Sequence, residues 1–78
     1  MLTVKVLGAG CARCRLLEAA IQKVVATRGL QVEIEKVTDF DEITKWAILA
    51  MPGLVVNDKL VSAGRIPSES EITAWLTA

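Results

Sequence analysis

The sequence predicts one α/β domain in which helices cover both faces of a four-stranded mixed sheet. Stretches that alternate apolar and polar residues are separated by stretches with helical periodicity, and the resulting order of elements is β-α-β-α-β-β-α. The chain has 78 residues, a length that suits one domain. No repeat, low-complexity tract or linker divides it, so residues 1–78 are assigned to a single domain.

The first strand and the first helix meet at a glycine-rich loop. Residues 3–7 alternate with period two, as a strand does, and Gly8-Ala9-Gly10 ends the alternation. Residues 11–28 have helical periodicity. The apolar stripe of this helix is predicted to contain Leu16, Leu17, Ala20, Ile21, Val24 and Val25. Its solvent-facing side is predicted to carry Arg15, Glu18, Gln22 and Lys23.

A second strand follows the helix. Gly29 stands where a left-handed C-terminal cap belongs. Residues 31–37 alternate again, with apolar side chains on one face and two glutamates on the other, solvated face. Because the two strands are joined through a helix, we expect them to be parallel, with a right-handed crossover.

A second helix is predicted between this strand and a proline. Asp39 or Asp41 can cap it by accepting a hydrogen bond from a free N–H group of its first turn. Its apolar face is predicted to consist of Ile43, Trp46, Ala47 and Ala50. Met51-Pro52-Gly53 is predicted to end this helix.

A hairpin and a third helix complete the domain. Residues 54–56 and 60–63 are predicted strands, and Asn57-Asp58-Lys59 between them suits a tight turn. Ser68 and Glu71 have the spacing of a capping box. The helix that they open is predicted to bury Ile72, Trp75 and Leu76. Both tryptophans of the chain are therefore interpreted as core residues.

Composition and charge exclude several classes of function. Nine Lys or Arg residues balance nine Asp or Glu residues, whereas nucleic-acid-binding proteins carry a basic excess on one face. No apolar run approaches the ~20 residues of a membrane helix, and the N-terminal residues do not resemble a signal peptide. We therefore expect a soluble, cytoplasmic protein without a nucleic-acid or membrane partner. The lack of histidine removes the commonest general base and metal ligand.

The two cysteines stand where the glycine-rich loop meets the first helix. In a first helical turn, residues i and i+3 share a face, so the sulfurs of Cys11 and Cys14 can bond to each other. Free N–H groups and the helix dipole favour a thiolate there and lower the thiol pKa below ~8.5. We predict dithiol–disulfide exchange, with Cys11 as the nucleophile and Cys14 as the resolving cysteine. Gly8 and Gly10 are expected to allow positive φ and to admit a partner's disulfide.

Other roles remain open for the same two cysteines. Zinc sites normally use four ligands, but Cu(I) between two sulfurs, or four thiolates shared across a dimer, would make the chain a metal-binding or metallochaperone module. An interaction domain with an inert disulfide would have a reduction potential too low for turnover in the cytoplasm. Two ordinary buried cysteines would explain neither the spacing nor the position at a helix start.

Three motifs occur in order along nearly the whole chain: GAGCARC at residues 8–14, MPGLVVN at residues 51–57, and Gly64. In this combination they resemble the thioredoxin/glutaredoxin superfamily, and more closely its very small redox proteins from bacteria and archaea. The resemblance implies a minimal thioredoxin fold and thiol–disulfide exchange through a disulfide between Cys11 and Cys14. It implies no bound cofactor and no metal.

The resemblance also implies a substrate-docking region beside the cysteines. A cis peptide bond between Met51 and Pro52 is implied there, with the backbone of Met51 pairing with an extended substrate. Gly10, Ala12 and Arg13 are implied to contact the substrate as well. The implied partners are a disulfide-containing protein and a flavin-dependent or other thiol reductase, which would place the chain in electron transport and cell redox homeostasis.

The sequence departs from larger thioredoxins at three points. Ala12-Arg13 replaces their Gly-Pro dipeptide, Gly10 replaces the tryptophan before their first cysteine, and no residue is assigned to their buried acid. The heavy-metal-associated domain also has a CxxC after its first strand, but its elements run β-α-β-β-α-β and give Pro52 no counterpart role. The predicted order of elements therefore favours the thioredoxin superfamily.

Overall fold

Seven helices and strands are found in the computed structural model, which describes residues 2–8, 12–46, 48 and 50–77. They are β1 (Leu2–Leu7), α1 (Ala12–Arg28), β2 (Val32–Val37), α2 (Phe40–Thr44), β3 (Gly53–Val56), β4 (Lys59–Ala63) and α3 (Glu69–Thr77). The predicted order of elements is confirmed. Each predicted strand end lies within one residue of the observed one.

The four strands form one mixed sheet in the order β2-β1-β3-β4. β1 and β2 are parallel, as predicted, with Leu7 opposite Val37 at their carboxyl ends. β3 runs antiparallel to β1, with Gly53 opposite Leu7, and β4 is antiparallel to β3. The ends of β1 and β2 and the start of β3 therefore meet at one edge of the sheet.

Two hydrophobic clusters hold helices against opposite faces of the sheet. Successive residues of a strand point to opposite faces, so Val6 joins one cluster and Leu7 the other. The cluster under α1 and α3 contains Val4, Val6, Leu17, Ile21, Val24, Leu54, Val56, Ile72 and Leu76. The cluster under α2 contains Leu7, Ile43 and Val55. Trp75 packs against the first cluster and Trp46 against the second, which confirms both as part of the core.

α1 ends as predicted, but its apolar stripe is narrower than predicted. Gly29 has φ 63°, and the N–H of Leu30 donates to the carbonyl of Val25 at 3.0 Å, which is the six-residue bond of a Schellman cap. The buried residues of α1 are Cys14, Leu17, Ile21 and Val24. Leu16 is 58% exposed. Its placement on the stripe was wrong, because it projects about 100° away from Leu17 around the helix.

Two predictions from local turn chemistry are confirmed. Asp39 caps α2, and its Oδ1 accepts a hydrogen bond from the N–H of Asp41 at 2.9 Å. Asn57 and Asp58 have φ values of 49° and 64°, and the strands pair again at Lys59. These positive φ values define a two-residue type I′ turn, one residue shorter than the predicted connection.

α2 is shorter than the sequence predicted. It ends at Thr44, because the N–H of Trp46 donates to the carbonyl of Ile43 at 3.1 Å and the last turn tightens into three-residue spacing. Ala50 is exposed, so its predicted place on an apolar helical face was wrong. Ala47 lies outside the described residues.

α3 begins with the predicted capping box. The N–H of Ser68 donates to Glu71 Oε1 at 3.1 Å, and the N–H of Glu71 donates to Ser68 Oγ at 3.2 Å. Arg65 Nη1 and Nη2 donate to the two carboxylate oxygens of Glu71 at 3.0 and 2.7 Å. The hydrogen bonds from Arg65 and from the Ser68 backbone lower the pKa of Glu71 to about 2.

β1 is joined to α1 where Gly8 and Cys14 are in contact. The N–H of Gly8 donates to the carbonyl of Val37 at 3.0 Å, which extends the pairing of β1 with β2. A Cβ placed on Gly8 would collide with Cys14 Sγ and lie 3.2 Å from Cys14 Cβ. Among the described glycines, positive φ occurs at Gly29 and Gly64. The expectation of positive φ at Gly8 was wrong, and close packing on a sulfur is what requires glycine there.

We expect Gly8→Ala to lower the free energy of unfolding of the reduced protein by about 1–3 kcal/mol, because an added methyl group overpacks this junction. Denaturant titration under reducing conditions measures the change. Cys14→Ala removes the sulfur, so Gly8→Ala should cost clearly less in the Cys14→Ala background. Equal costs in the two backgrounds would show that the sulfur is not the obstacle.

The cap of α3 predicts a pH dependence of stability. The pKa of Glu71 is about 2, against an ordinary value of 4.5, so its contribution is present above pH 4.5 and is lost as the pH falls through about 2. We expect Glu71→Gln to lower the free energy of unfolding at neutral pH, and the difference from wild type to shrink towards pH 2. Denaturant titrations from pH 7 to pH 2 measure this difference.

The matched control is Glu33→Gln, which removes an exposed carboxylate of β2 that has no ion pair among the described residues. This variant should keep the wild-type pH profile. A Glu71→Gln protein with the wild-type profile would contradict the coupling between Arg65 and Glu71.

Candidate functional site

The predicted redox site centres on Cys14. This cysteine is the third residue of α1, is 5% exposed and takes part in a disulfide. Its Sγ lies against Gly8 at the end of β1. Cys11 and Gly10, which were predicted to act with it, lie outside the described residues. The pairing of the two cysteines therefore stays a prediction.

Pro52 lies at the same edge of the sheet as Cys14. Gly53, the first residue of β3, is opposite Leu7 in the antiparallel pair. Leu7 is followed directly by Gly8, and Gly8 contacts Cys14. The residue before Gly53 is therefore brought to the edge that carries the cysteine, although the two motifs are far apart in the sequence.

The segment around Pro52 is attached to the end of β4. The Met51–Pro52 peptide bond is cis, and the carbonyl of Pro52 accepts a hydrogen bond from the N–H of Gly64 at 2.9 Å. Gly64 has φ 79°, and a Cβ on it would lie 3.1 Å from Ala50 Cβ, so both its conformation and its surroundings favour glycine. Pro52 is buried, whereas Met51 is 38% exposed. Met51 therefore presents surface to solvent at this edge.

The first turn of α1 presents its charged residues to solvent. Ala12, Arg13 and Arg15 are all exposed, and the turn contains no acidic residue. Two of these residues, Ala12 and Arg13, were predicted to contact a substrate. Their exposure leaves them accessible to one.

A groove of about 210 Å³ opens beside Cys14. It is lined by Val6, Gly8, Cys14, Arg15, Glu18, Lys36 and Thr38. These residues come from α1 and from the ends of β1 and β2. The groove is large enough to hold several water molecules next to the sulfur of Cys14.

Glu18 is a residue of this groove that the sequence analysis missed. Its side chain is 18% exposed, and its Oε2 lies 3.3 Å from Lys36 Nζ. Its Oε1 accepts a hydrogen bond from Gln22 Nε2 at 3.3 Å. The predicted solvent-facing position of Glu18 was wrong. The signal available in the sequence was its i+4 spacing from Cys14, which places the two residues on one face of α1.

A second, apolar groove of about 160 Å³ lies beside Met51. It is lined by Phe40, Ile43, Thr44, Ile48, Ala50 and Met51. Phe40 is 59% exposed at its margin. The position of Phe40 beside this groove could not be predicted from the sequence, because a single phenylalanine at a helix start forms no repeating pattern.

The described residues have neither a metal-binding cluster nor a membrane-spanning helix. They contain no group of three or more His, Cys, Asp or Glu residues that could hold a metal ion. The helices that they form are all too short or too polar to cross a lipid bilayer.

Comparison with known proteins gives consistent matches. The model of the thioredoxin domain family matches residues 2–77. A thioredoxin of Methanothermobacter thermautotrophicus is 36% identical over 77 residues, which cover 99% of this chain and 100% of that protein. A thioredoxin of Methanocaldococcus jannaschii is 38% identical over 72 residues, which cover 92% of this chain and 83% of that protein.

Solved structures show the same fold at lower sequence identity. Thioredoxin-2 of the malaria parasite superposes with a TM-score of 0.72 at 14% identity, covering 99% of this chain and 82% of that one. Oxidised mitochondrial thioredoxin 3 of Saccharomyces cerevisiae gives 0.70 at 16% identity, covering 97% and 76%. Thiol–disulfide oxidoreduction is the general activity that the curated relatives support. With its family match, its archaeal relatives and this topology, the chain belongs to the thioredoxin domain family.

Proposed function

We propose that this chain is a dithiol–disulfide oxidoreductase that exchanges with protein substrates through Cys11 and Cys14. The observation that carries the proposal is the position of Cys14, a buried, disulfide-bonded cysteine in the first turn of α1 that lies against Gly8. The only other cysteine of the chain stands three residues before it. This spacing suits a reversible bond between the two sulfurs.

The first step is attack of the Cys11 thiolate on a sulfur of the partner's disulfide. A bond forms between Cys11 and that sulfur, and the partner's other sulfur leaves as a thiolate that takes a proton from water. The start of α1 favours the thiolate form, since free N–H groups and the helix dipole stabilise negative charge there. The product is a mixed disulfide between Cys11 and the partner.

The second step is attack of Cys14 on the sulfur of Cys11, which releases the reduced partner and leaves an oxidised pair. Cys14 must first lose its proton, and a buried thiol does so reluctantly. Glu18 lines the same groove and carries a carboxylate close to Lys36. We assign Glu18 the role of proton acceptor for Cys14, through water held in the groove.

Substrate docking is proposed for the surface around the cysteines. The backbone of Met51, an exposed residue beside the buried Pro52, would pair with an extended segment of the partner. Gly10, Ala12 and Arg13 would line the approach to Cys11. The shared sheet edge of Pro52 and Gly8 supports this arrangement, because one bound segment can reach both.

The oxidised pair has to be reduced again before the next cycle. Two electrons from a flavin-dependent or other thiol reductase would supply this step, with no cofactor bound to the chain. This cycle would make the protein a thioredoxin-like electron carrier in cell redox homeostasis, and we propose that it works in the cytoplasm. A nucleic-acid or membrane partner is not part of this proposal, since the net charge is zero.

Cysteine variants test the proposed function. We expect Cys11→Ser to lower the rate at which dithiothreitol reduces a disulfide-containing protein to the rate measured without this chain. Cys14→Ser should stop after the first step and keep the partner covalently bound, as a species that survives denaturing, non-reducing electrophoresis and mass spectrometry. Cys11→Ser is the matched control, because it should trap no partner.

Two results would overturn the proposal. One is full activity of the Cys11→Ser protein. The other is a stoichiometric zinc or copper ion that the reduced wild-type protein keeps through purification, since the cysteines would then act first as metal ligands.

A separate prediction concerns Glu18. We expect Glu18→Gln to slow release of the partner from the Cys11 mixed disulfide by roughly 10-fold or more at neutral pH, because the proton acceptor is lost while the side-chain shape is kept. Rapid-quench measurement of the second step from pH 6 to pH 10 gives the rates. Wild type and variant should converge at high pH, where Cys14 ionises without help.

Glu33→Gln is the control for the loss of one negative charge, and it should leave the second step unchanged. If Glu18→Gln lowered the rate by the same factor at every pH, Glu18 would have a structural role only.

A further inference from the structure

Ion pairs account for only part of the positive charge on the described surface. Five of the nine lysine and arginine residues pair with a carboxylate: Lys5, Lys23, Lys36, Lys45 and Arg65. Arg13, Arg15, Arg28 and Lys59 form no ion pair among the described residues. Two of these four, Arg13 and Arg15, are the residues on either side of Cys14. Half of the positive charges without an ion pair in the described chain therefore stand next to Cys14.

This charge stands where a helix disfavours it. The N-terminal end of a helix carries partial positive charge and is stabilised by acidic residues. α2 and α3 follow this rule, with Asp41 and Glu42 in one first turn and Glu69 and Glu71 in the other. The first turn of α1 contains no acidic residue and two exposed arginines instead. Among the described residues, no carboxylate forms an ion pair with Arg13 or Arg15 that would offset this unfavourable placement of charge.

We propose that Arg13 and Arg15, which project to the two sides of Cys14 around the start of α1, form a docking surface for acidic side chains that flank the disulfide of the partner protein. The inference rests on the proposed function and adds the chemistry of the partner to it. A guanidinium group offers a planar fork of donors that matches a carboxylate. Opposite charge across an interface also speeds the encounter and selects among partners.

The geometry limits how far the acidic residues can lie from the partner's disulfide. The disulfide has to meet a sulfur at the start of α1, and both arginines lie within one turn of Cys14. Charges separated by more than about 8 Å are largely screened at physiological ionic strength. The selected acidic residues are therefore those within two or three positions of the partner's cysteines.

Three disulfide-linked peptides of equal length test the inference. They carry Asp, Ser or Lys at the two positions on each side of the disulfide. With the reduced wild-type protein at low ionic strength, we expect the second-order rate constants to fall from Asp through Ser to Lys, with roughly 10-fold between the extremes. The spread should shrink in high salt.

Arginine variants assign this preference to the two residues. The double variant Arg13→Gln, Arg15→Gln should lose the preference for the Asp peptide, so that its rate constants with the three peptides become nearly equal. Arg28→Gln is the matched control, since Arg28 is also exposed and without an ion pair but lies in the last turn of α1. It should behave as wild type. Circular dichroism should show the double variant to be at least as heat-stable as wild type, because it loses unfavourable charge.

The outcomes separate this inference from the proposed function. Equal wild-type rates for the three peptides would overturn the docking surface while leaving thiol–disulfide exchange in place. An equal loss of rate with all three peptides in the double variant would also overturn it, because the arginines would then act on the thiolate and not on the partner. Absence of exchange with every peptide in wild type would overturn the proposed function itself, and the inference with it.

Discussion

The parallel pairing of β1 with β2 is the constraint on which the site depends. It places Leu7 opposite Val37 and continues through the hydrogen bond from Gly8 to Val37. A parallel pair needs a crossover connection, so α1 has to begin where β1 ends and return along the sheet. Cys14 is thereby fixed against Gly8, at the sheet edge where β3 also begins. The position of the cysteine thus follows from strand pairing more than from its own contacts.

Both faces of this small sheet have to be covered, and each helix anchors a different part of the edge. α1 is held by Leu17 and Ile21, which are fully buried, and its first turn adds the buried Cys14 to the same side of the helix. The segment before β3 is held by the hydrogen bond that the N–H of Gly64 donates to the carbonyl of Pro52. Two segments distant in sequence are therefore attached independently to one edge. A partner that docks as we propose would meet surfaces that the fold has already positioned.

The sequence predicts most reliably what depends on local chemistry. Gly29 ends α1, Asp39 caps α2, and Ser68 caps α3 with Glu71, because each of these signals acts within a few residues. The predicted exposures of Leu16 and Glu18 were wrong, because they depend on residues far away in the chain. Periodicity gives the centre of an apolar stripe, but which residues at its margins are covered depends on distant partners. Lys36 is the partner of Glu18, and it comes from β2, the strand that follows α1.

One acidic and two basic side chains lie near Cys14, and they differ in how far they are exposed to solvent. The carboxylate of Glu18 is partly buried and lies 3.3 Å from Lys36 Nζ, so it projects little field to solvent. Arg13 and Arg15 are exposed, so their field reaches an approaching partner. All of these side chains come from α1. Glu18 is at i+4 from Cys14 and shares its face, whereas the two arginines are its direct neighbours along the chain and do not. One helix therefore carries both the carboxylate that we propose as proton acceptor and the two arginines that we propose as the docking surface for a partner.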